Sequence, residues 1–470
     1  MSPTADQAIL SQTPIVHAAA APETETDGLP VPRRHVAMFA VLAAIVLVVL
    51  DAAIANVALP TIARDLAVAP GASVWVVTGY QVAIVMFLLP AGAAGESFGY
   101  RRVFMAGVVL FTLSSAACAL APSLSWLVVA RFIQGIGSAA VMALGVGIIR
   151  FIYPKRMLGA AIGWNALAVA FSSAAGPTIG AGILSIAGWP WLFAVNLPIG
   201  AVVLILARWL PGERATGRKV DFASAGLNAA AFGALFIGID RVVATPLIGI
   251  PFLAAAAMGL VALIRRERKH ATPMIPLDLL RTRPFRLSVM ASVCCFIGQM
   301  GGMVALPFYL QHELGLSAFE TGLYMTAWPL TVALAAPLSG RLADRFSTDL
   351  LCVVGGISLA LGLGLAAFWP LHGHLIPLVF FLALSGFGVG MFQTPNNRNM
   401  LLSAPRERSG AAGGMQGMAR LSGQTAGSLL LLVLFGIVTA ERAPHLGLAI
   451  GAVFAFTAAL ISMLKLNAAR

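Results

Sequence analysis

The chain has 470 residues, of which 59% are apolar and 10% are charged, and its mean hydropathy is +0.91. Globular domains carry about 25% charged residues, so this composition excludes an ordinary soluble protein. Lys and Arg outnumber Asp and Glu by 30 to 18, an excess that suits either nucleic acid or a membrane surface until the positions of the basic residues are considered.

The first 35 residues are polar and rich in Ala, Pro and Thr. They lack the apolar central segment of a cleavable signal peptide. Residues 1–35 are therefore interpreted as a disordered cytoplasmic tail.

From residue 36 onward, apolar segments alternate with short polar loops. A membrane-crossing helix needs roughly 20 mostly apolar residues. Pro246 and Pro251 interrupt one candidate, 243–264, and without it every later loop would lie on the opposite side of the membrane. Including it, the sequence predicts 14 crossing helices, over residues 36–60, 74–95, 102–121, 124–149, 157–187, 190–210, 222–240, 243–264, 284–311, 319–340, 349–369, 374–395, 409–439 and 445–465.

The basic residues are distributed very unevenly between the two sets of loops. With the N-terminus inside, 25 of the 30 Lys and Arg fall on the inner side, and only Arg64, Arg241 and Arg442 fall outside. This asymmetry is the positive-inside signal, and it places both termini in the cytoplasm. The partner of the basic residues is then membrane lipid and not nucleic acid.

The loops are too short to hold a soluble catalytic domain. Cys118, Cys294, Cys295 and Cys352 lie in apolar segments, without the spacing of a disulfide framework or a metal site. The sequence therefore predicts neither an enzyme nor a cofactor.

Two inner loops resemble each other. "GAAGESFGYRR" (92–102) and "GRLADRFSTD" (340–349) each place a Gly four residues before an acid, with arginines beyond it. Because both loops face the same side, the two halves are predicted to be parallel repeats. The chain is thereby divided as 6+2+6 helices, with a tail (1–35), a six-helix bundle (36–210), a linker with two extra helices and a basic cytoplasmic loop (211–283), a second bundle (284–465) and a short C-terminal tail (466–470).

Five motifs occur in order along the first half: "LDAAIANVALP" (50–60), "GAAGESFGYRR" (92–102), "LVVARFIQGIGSAA" (127–140), "AAGPTIGAG" (174–182) and "GWPWLFAVNLPIG" (188–200). Together they resemble the patterns of the major facilitator superfamily, specifically its fourteen-helix drug:proton antiporters, and the resemblance runs from about residue 36 to 465. The chain departs from these patterns at Ala53, Ala94, Glu96, Ser97, Ala181 and Pro190.

Asp51 is the only one of 18 acids placed well inside a predicted span. A charge at the centre of such a helix costs roughly 2.5–3.5 kcal/mol on insertion scales, so it is expected to serve a function. No His or Lys lies midspan, which leaves Asp51 as the candidate proton carrier with Arg131 as its partner. The alternative is a structural ion pair that fixes the first helix to the fourth.

The repeated loops suggest a cytoplasmic gate in which carboxylates pair with arginines of a neighbouring helix; simple topology charge is the alternative. The gate residues are Gly92, Glu96, Arg101, Arg102, Gly340, Asp344 and Arg345. The resemblance also implies that Gly176, Pro177 and Gly180 form a helix bend that favours exchange over leak. Ordinary packing of small residues would explain that motif equally well.

Uncharged polar groups and methionines within the spans suggest a substrate cavity; hydrogen bonding between helices and core filling are the alternative. The polar candidates are Tyr80, Gln81, Trp164, Asn165, Gln299, Gln393, Gln416 and Gln424, and the methionines are Met300, Met303, Met325, Met415 and Met418. Arg420 belongs either to this cavity or to helix packing.

The sequence thus predicts a proton-driven exporter of hydrophobic, cationic small molecules, acting as a monomer in a bacterial cytoplasmic membrane. An exporter of a specific metabolite, lipid or siderophore is a second interpretation in the same fold. A membrane-embedded enzyme or a sensor without transport is the interpretation from another class.

Overall fold

The computed structural model describes residues 28–154, 157–212, 221–267, 279–369, 375–404 and 409–468, and these are almost entirely helical. Short 3₁₀ turns cover Ala207–Trp209 and Leu279–Arg281, and a π turn covers Tyr309–Glu313. The α-helices are α1 (Arg33–Asp65), α2 (Pro70–Ser73), α3 (Trp75–Phe98), α4 (Tyr100–Ala119), α5 (Leu124–Ile152), α6 (Leu158–Ile186), α7 (Pro190–Ala194), α8 (Asn196–Leu206), α9 (Phe222–Ala244), α10 (Pro246–Glu267), α11 (Arg283–Phe308), α12 (Ala318–Leu342), α13 (Thr348–Phe368), α14 (Ile376–Leu402), α15 (Ser409–Ile437) and α16 (Arg442–Ala468).

Within the described residues, 12 helices are long and apolar enough to cross a membrane. The interrupted candidate is one of them, as α10, because Pro246 begins that helix and Pro251 lies near its start. Helix α12 is not one of the 12, and α9 contributes only a shorter apolar segment, Ala223–Ile239. The all-α, multi-pass architecture is confirmed, whereas the total of 14 crossings stays a prediction. Most of the predicted tail, residues 1–27, lies outside the described residues.

Polar residues define several helix ends. Ser123 accepts a hydrogen bond from the backbone N–H of Trp126 at the start of α5, and Ser317 forms a reciprocal capping box with Glu320 at the start of α12. Gly99, between α3 and α4, has a φ of +97°, a left-handed conformation that glycine adopts without steric penalty. The first copy of the loop motif therefore holds a glycine at a turn that favours one.

The ends of the bundle can be told apart by their contacts. Arg33 at the start of α1 donates to the carbonyl of Trp209 after α8, so both lie at what we call the near end. The opposite, far end holds the loop after α1 and the π turn after α11. There Gln311 donates its side-chain amide to the carbonyl of Val57 at 3.2 Å, a contact between the two halves of the chain.

The two halves are packed together at the far end. Gly322 of α12 has no room for a side chain, because an added Cβ would lie 2.5 Å from the carbonyl oxygen of Pro177 in α6. One turn further along α12, the hydroxyls of Thr326 and Thr178 are 2.5 Å apart. A continuous buried cluster therefore joins both halves at this end.

Toward the near end a cleft separates the halves. One stripe of α1, spaced at helical intervals from Phe39 (59% exposed) through Val46 to Ala53, is exposed or partly exposed. The next seven residues of α1, 54–60, are all buried. The cleft thus opens at the near end and stops at about the level of Ala53, in the middle of the bundle.

Helices α9 and α10 form a hairpin on the outside of both halves. Asn228 of α9 donates to the carbonyl of Met86 in α3 at 2.8 Å, and the rings of Phe236 and Trp75 meet edge to face at 4.6 Å. The same cluster includes Leu429 of α15 in the second half. The hairpin therefore covers the line along which α3 meets α15.

An ion pair fixes the base of this hairpin. Asp221 caps the start of α9 and lies 3.0 Å from Arg266 near the end of α10. The hydrogen bond from Arg266 is the main reason that the pKa of the Asp221 carboxyl is held well below its ordinary value.

Candidate functional site

Asp51 lies in the interior of the first half with only 1% of its surface exposed. Its Oδ2 accepts a 2.5 Å hydrogen bond from Nη1 of Arg131 in α5. Its Oδ1 accepts hydrogen bonds from the amides of Asn196 in α8 at 2.6 Å and Gln134 in α5 at 3.1 Å. A carboxylate with three donors, one of them charged, is well stabilised in an apolar interior. The structure therefore brings together the two residues predicted to form the midspan pair.

Arg131 is completely buried and satisfies most of its donors. Besides Asp51, its guanidinium donates from Nη1 to Oε1 of Gln134 at 2.6 Å and from Nε to the carbonyl of Val76 at 3.0 Å. Its Nη2 has no partner among the described residues. A buried donor without an acceptor costs about 1–3 kcal/mol, so Nη2 is the unsatisfied hydrogen-bond donor of this cluster.

Tyr80 belongs to this buried cluster and not to an open cavity. Its ring lies under the guanidinium of Arg131, with the Cζ atom 4.1 Å from the ring centroid. Its hydroxyl accepts from Ser138 at 2.8 Å and donates to the carbonyl of Val48 at 3.3 Å. In this conformation Tyr80 is buried and supports Arg131, and its role in a substrate cavity stays a prediction.

The cleft wall lies directly in front of this cluster. Leu50 and Ala53, on either side of Asp51 in the sequence, are partly exposed on the cleft stripe of α1. Asp51 itself points the other way, toward α5 and α8. A movement of α1 that opened or loosened this contact would change the surroundings of a carboxylate that lies one side chain behind the cleft.

The second loop motif makes an ion pair at the near end. Asp344, after α12, accepts from Nη1 of Arg398 in α14 at 2.8 Å, and the two side chains are 70% and 44% exposed. An added Cβ on Gly340 would lie 3.8 Å from the side chain of Thr394, which, like Arg398, belongs to α14. The acid thus pairs with an arginine of a neighbouring helix, although not with Arg345 in its own motif. Arg398 is a residue that the sequence motif did not identify.

The first loop motif has more open surroundings. Gly92 has no described heavy atom within 4 Å of an added Cβ, unlike its counterpart Gly340. Glu96 is itself engaged in an interaction and is not free. Arg101 and Arg102 begin α4, and Arg101 lies near Gly212. Among the described residues there is therefore open space beside Gly92 in this conformation.

The Gly-Pro motif lies at a contact among three helices. An added Cβ on Gly176 would collide with the side chain of Ala53 in α1, and one on Gly180 would lie 3.1 Å from Ile54. Pro177 meets Gly322 of α12 on the other side. The motif therefore allows α6 to approach α1 and α12 closely at the closed end of the cleft.

The remaining cavity candidates fall into different surroundings. Gln81 accepts from Ser428 of α15 at 3.1 Å and so joins the two halves, while Gln416 donates to the carbonyl of Asn397 at 2.6 Å. Trp164 is 58% exposed. The side-chain oxygens of Asn165 and Gln299 are buried without a partner among the described residues. Arg420 lies partly exposed in the middle of α15.

Two residues of the Asp51 cluster were not identified from the sequence as site residues. Gln134 and Asn196 both belong to motifs that the sequence contains, "ARFIQGIG" and "AVNLPIG". Only the packing of α5 and α8 against α1 shows that their amides face the same carboxylate. Among the described residues no group of three or more potential ligands could hold a metal ion.

Comparison with known proteins places this geometry in context. The family model of the Major Facilitator Superfamily matches residues 41–428 and 288–469. The uncharacterized transporter YebQ of Escherichia coli (strain K12) is 45% identical over 96% of this chain and 99% of its own length. The multidrug resistance protein Stp of Mycobacterium tuberculosis (strain CDC 1551 / Oshkosh) is 35% identical over 85% of this chain and 76% of its own.

The same fold occurs in solved structures. A crystal structure of the peptide transporter POT in complex with sulfate superposes with a TM-score of 0.70, covering 91% of this chain and 94% of that one. The two share 14% of their residues, so the likeness concerns the fold alone.

Proposed function

The chain belongs to the Major Facilitator Superfamily, a family of membrane transporters and not of enzymes, and from this premise we propose that it is a proton-coupled antiporter that exports hydrophobic small molecules. The observation that carries the proposal is the buried pair of Asp51 and Arg131 behind the cleft wall. Intramembrane ionisable groups are expensive, and in transporters they mark proton and substrate pathways. The drug-resistance name of the relative Stp supports export of drug-like compounds.

The proposed topology has 14 crossings arranged as 6+2+6, with both termini in the cytoplasm of a bacterial inner membrane. Helices occupy all 14 predicted ranges, and the α9–α10 hairpin packs outside both halves. The uneven distribution of Lys and Arg supports this orientation. In that orientation the cleft of the described conformation faces the cytoplasm, where an exporter takes up its substrate.

The proposed coupling mechanism depends on the helices that the Asp51 carboxylate connects. Ionised Asp51 joins α1 to α5 and α8 through Arg131, Gln134 and Asn196. Protonation of the carboxylate would remove the ion pair and leave the guanidinium with its remaining acceptors. Because α1 also lines the cleft and contacts α6, proton binding and release would bias the packing of α1 and thereby the side to which the cleft opens.

The expectation of a cationic substrate depends on Asp51 as an available counter-ion. In the described conformation Asp51 is buried and paired, so it offers a substrate cation little. The apolar side chains of the cleft stripe, such as Phe39 and Val46, support the expectation of a hydrophobic substrate. The partners are then a hydrophobic solute, protons and lipid, with a monomer as the transport unit.

The decisive experiment compares Asp51→Asn with Asp65→Asn, a control acid that lies exposed at the far end of the same helix. In everted membrane vesicles with an acidic interior, a transported compound should discharge the proton gradient in the wild type and in the Asp65 variant. It should have no effect in the Asp51 variant at an equal amount of folded protein. Normal substrate-dependent proton movement with Asp51→Asn would overturn the proposal.

Transport of a specific metabolite, lipid or siderophore is the second candidate in the same fold. The 45% identity to the uncharacterized transporter YebQ is compatible with this candidate, because that name gives no substrate. Uptake of several unrelated dyes with and without a proton uncoupler separates the candidates. A narrow exporter moves none or one of them, a drug exporter moves several, and a sensor without transport moves none and binds only its signal.

A further inference from the structure

Arg420 is placed between two packing faces of α15. Gly423 and Gly427 pack on α11, because an added Cβ on them would approach the carbonyls of Val293 and Ile297 at 2.6 and 2.5 Å. On another side of the helix, Ser428 bonds to α3 of the first half. At 100° per residue, Arg420 lies on the sector between these faces, which looks toward the space between the halves.

Along its length, this sector of α15 changes from exposed at the near end to buried toward the far end, as the cleft stripe of α1 does. Gly413, two turns from Arg420 toward the near end, is exposed and has no described heavy atom within 4 Å of an added Cβ. Arg420 and Gln424, one turn apart, are partly exposed, and Leu431 beyond them is buried. The sector is open at the near end and closed toward the far end. Arg420 therefore lies on the wall of the cleft.

The charge of Arg420 is unbalanced among the described residues. Of the other buried charged residues, Asp51 and Arg131 neutralise each other, and Glu267 is itself engaged in an interaction. Lys465, near the end of α16, is paired with Asp349 at 2.9 Å. Arg420 has no hydrogen bond or ion pair to any described residue. A guanidinium stays ionised in proteins, so the inner part of the cleft carries a net positive charge.

We propose that Arg420 is the counter-charge for an anionic group on an otherwise hydrophobic substrate, so that the transporter prefers organic anions to organic cations of similar shape. This inference rests on the proposed export function and specifies its substrate class. Gln424 provides a second donor one turn away, and the planar guanidinium suits carboxylate, sulfonate or phenolate oxygens. The surrounding helices supply apolar surface for the remainder of the molecule.

The membrane potential also favours the export of an anion. Moving one negative charge out of a cell whose interior is negative is favoured by about 2.3 kcal/mol per 100 mV. Exchange of an organic anion for an incoming proton would therefore draw on both components of the proton-motive force. Exchange of a monovalent cation for one proton would draw only on the pH gradient.

The test uses two dyes on one aromatic skeleton, fluorescein as the anion and rhodamine 6G as the cation. Wild-type protein in everted vesicles should accumulate fluorescein in preference to rhodamine 6G. Arg420→Gln should lower fluorescein transport about tenfold or more, as expected for the loss of a charge-assisted contact, without lowering rhodamine transport. Arg420→Lys should restore part of it, and Arg420→Glu should reverse the preference. Arg442→Gln, an exposed arginine at the start of α16, is the matched control and should behave as wild type.

Each other outcome overturns the inference in a recognisable way. If Arg420→Gln reduces both dyes equally while the melting temperature falls, Arg420 is a packing residue. If the wild type transports rhodamine 6G and Arg420→Glu does not increase that transport, the proposed preference for organic anions is wrong, whereas proton-coupled export is unaffected. If the wild type moves neither dye and Asp51→Asn leaves proton movements unchanged, the proposed function fails together with the inference.

Discussion

The side-chain amide of Asn196 lies 2.6 Å from Oδ1 of Asp51 and donates to it a hydrogen bond that ties α8 to α1. Asn196 also lies 3.4 Å from the hydroxyl of Ser115 in α4. One amide therefore touches two helices besides its own, and the carboxylate depends on it for one of its three donors.

Asn196→Ala should lower the stability of the protein by about 1–3 kcal/mol, because it leaves a buried carboxylate oxygen short of a donor. Asn165→Ala is the matched control, since the Oδ1 of Asn165 is buried without a described partner. The measurement is the melting temperature of each purified variant in detergent. Equal losses for the two variants would show that the bond to Asp51 contributes nothing specific.

Arg131→Lys keeps the positive charge but cannot keep the arrangement around it. A lysine ammonium would pair with Asp51, yet it would lose the bond from Nε to Val76 and the stacking on Tyr80. We expect proton-coupled efflux to fall at least about tenfold while the protein remains in the membrane. Efflux close to the wild-type rate would show that charge alone is required at this position.

Gly176→Ala should impair transport and stability, because the added methyl group would collide with Ala53 of α1. Overpacking of this kind costs about 1–3 kcal/mol. Gly182→Ala, in the same helix with nothing described within 4 Å of the added Cβ, should be close to neutral. Efflux rates and melting temperatures of both variants check this, and two neutral variants would contradict the close approach of α6 to α1.

Cysteines at Thr178 and Thr326 should form a disulfide across the far end, where the two hydroxyls are 2.5 Å apart. The pair should be introduced after the four native cysteines have been replaced, with transport of that background measured as the control. Oxidation should stop efflux by holding the far end shut, and a reducing agent should restore it. Full activity of the cross-linked protein would mean that this end does not open during transport.

Charge exchange tests the ion pair at the near end. Asp344→Arg should reduce efflux by placing a second positive charge opposite Arg398, and the double variant Asp344→Arg, Arg398→Asp should recover part of the loss. Exposed pairs contribute little to stability, so melting temperatures should stay nearly constant. Failure of the double variant to exceed the single one would indicate that the carboxylate itself is needed at position 344.

The crossing helices were largely predictable from sequence, because most of them are long apolar runs bounded by polar residues. The fourth predicted span, 124–149, corresponds to Leu124–Ile152. A pairing of Asp51 with Arg131 was also predictable, since a midspan acid must find a partner in an apolar interior.

The neighbours of that pair were not predictable in the same way. Apolar periodicity places Tyr80 within a span but gives no direction toward either the cleft or Arg131. Asn196 and Arg398 act across distances of 145 and 54 residues in the sequence, and their partners are determined by how helices pack. Motif order shows that such residues occur, whereas their contacts depend on the tertiary structure.

The hairpin of α9 and α10 makes the two lipid-facing flanks of this transporter unequal. It covers the line between α3 and α15, anchored by Asn228 on one half and by Leu429 in the shared cluster on the other. At that flank the hairpin separates the line between the two halves from a lipophilic compound dissolved in the bilayer. The hairpin does not cover the opposite flank, where α6 meets α12. Any sideways entrance from lipid would therefore lie at the α6–α12 flank, and the hairpin would give the molecule a front and a back within the plane of the membrane.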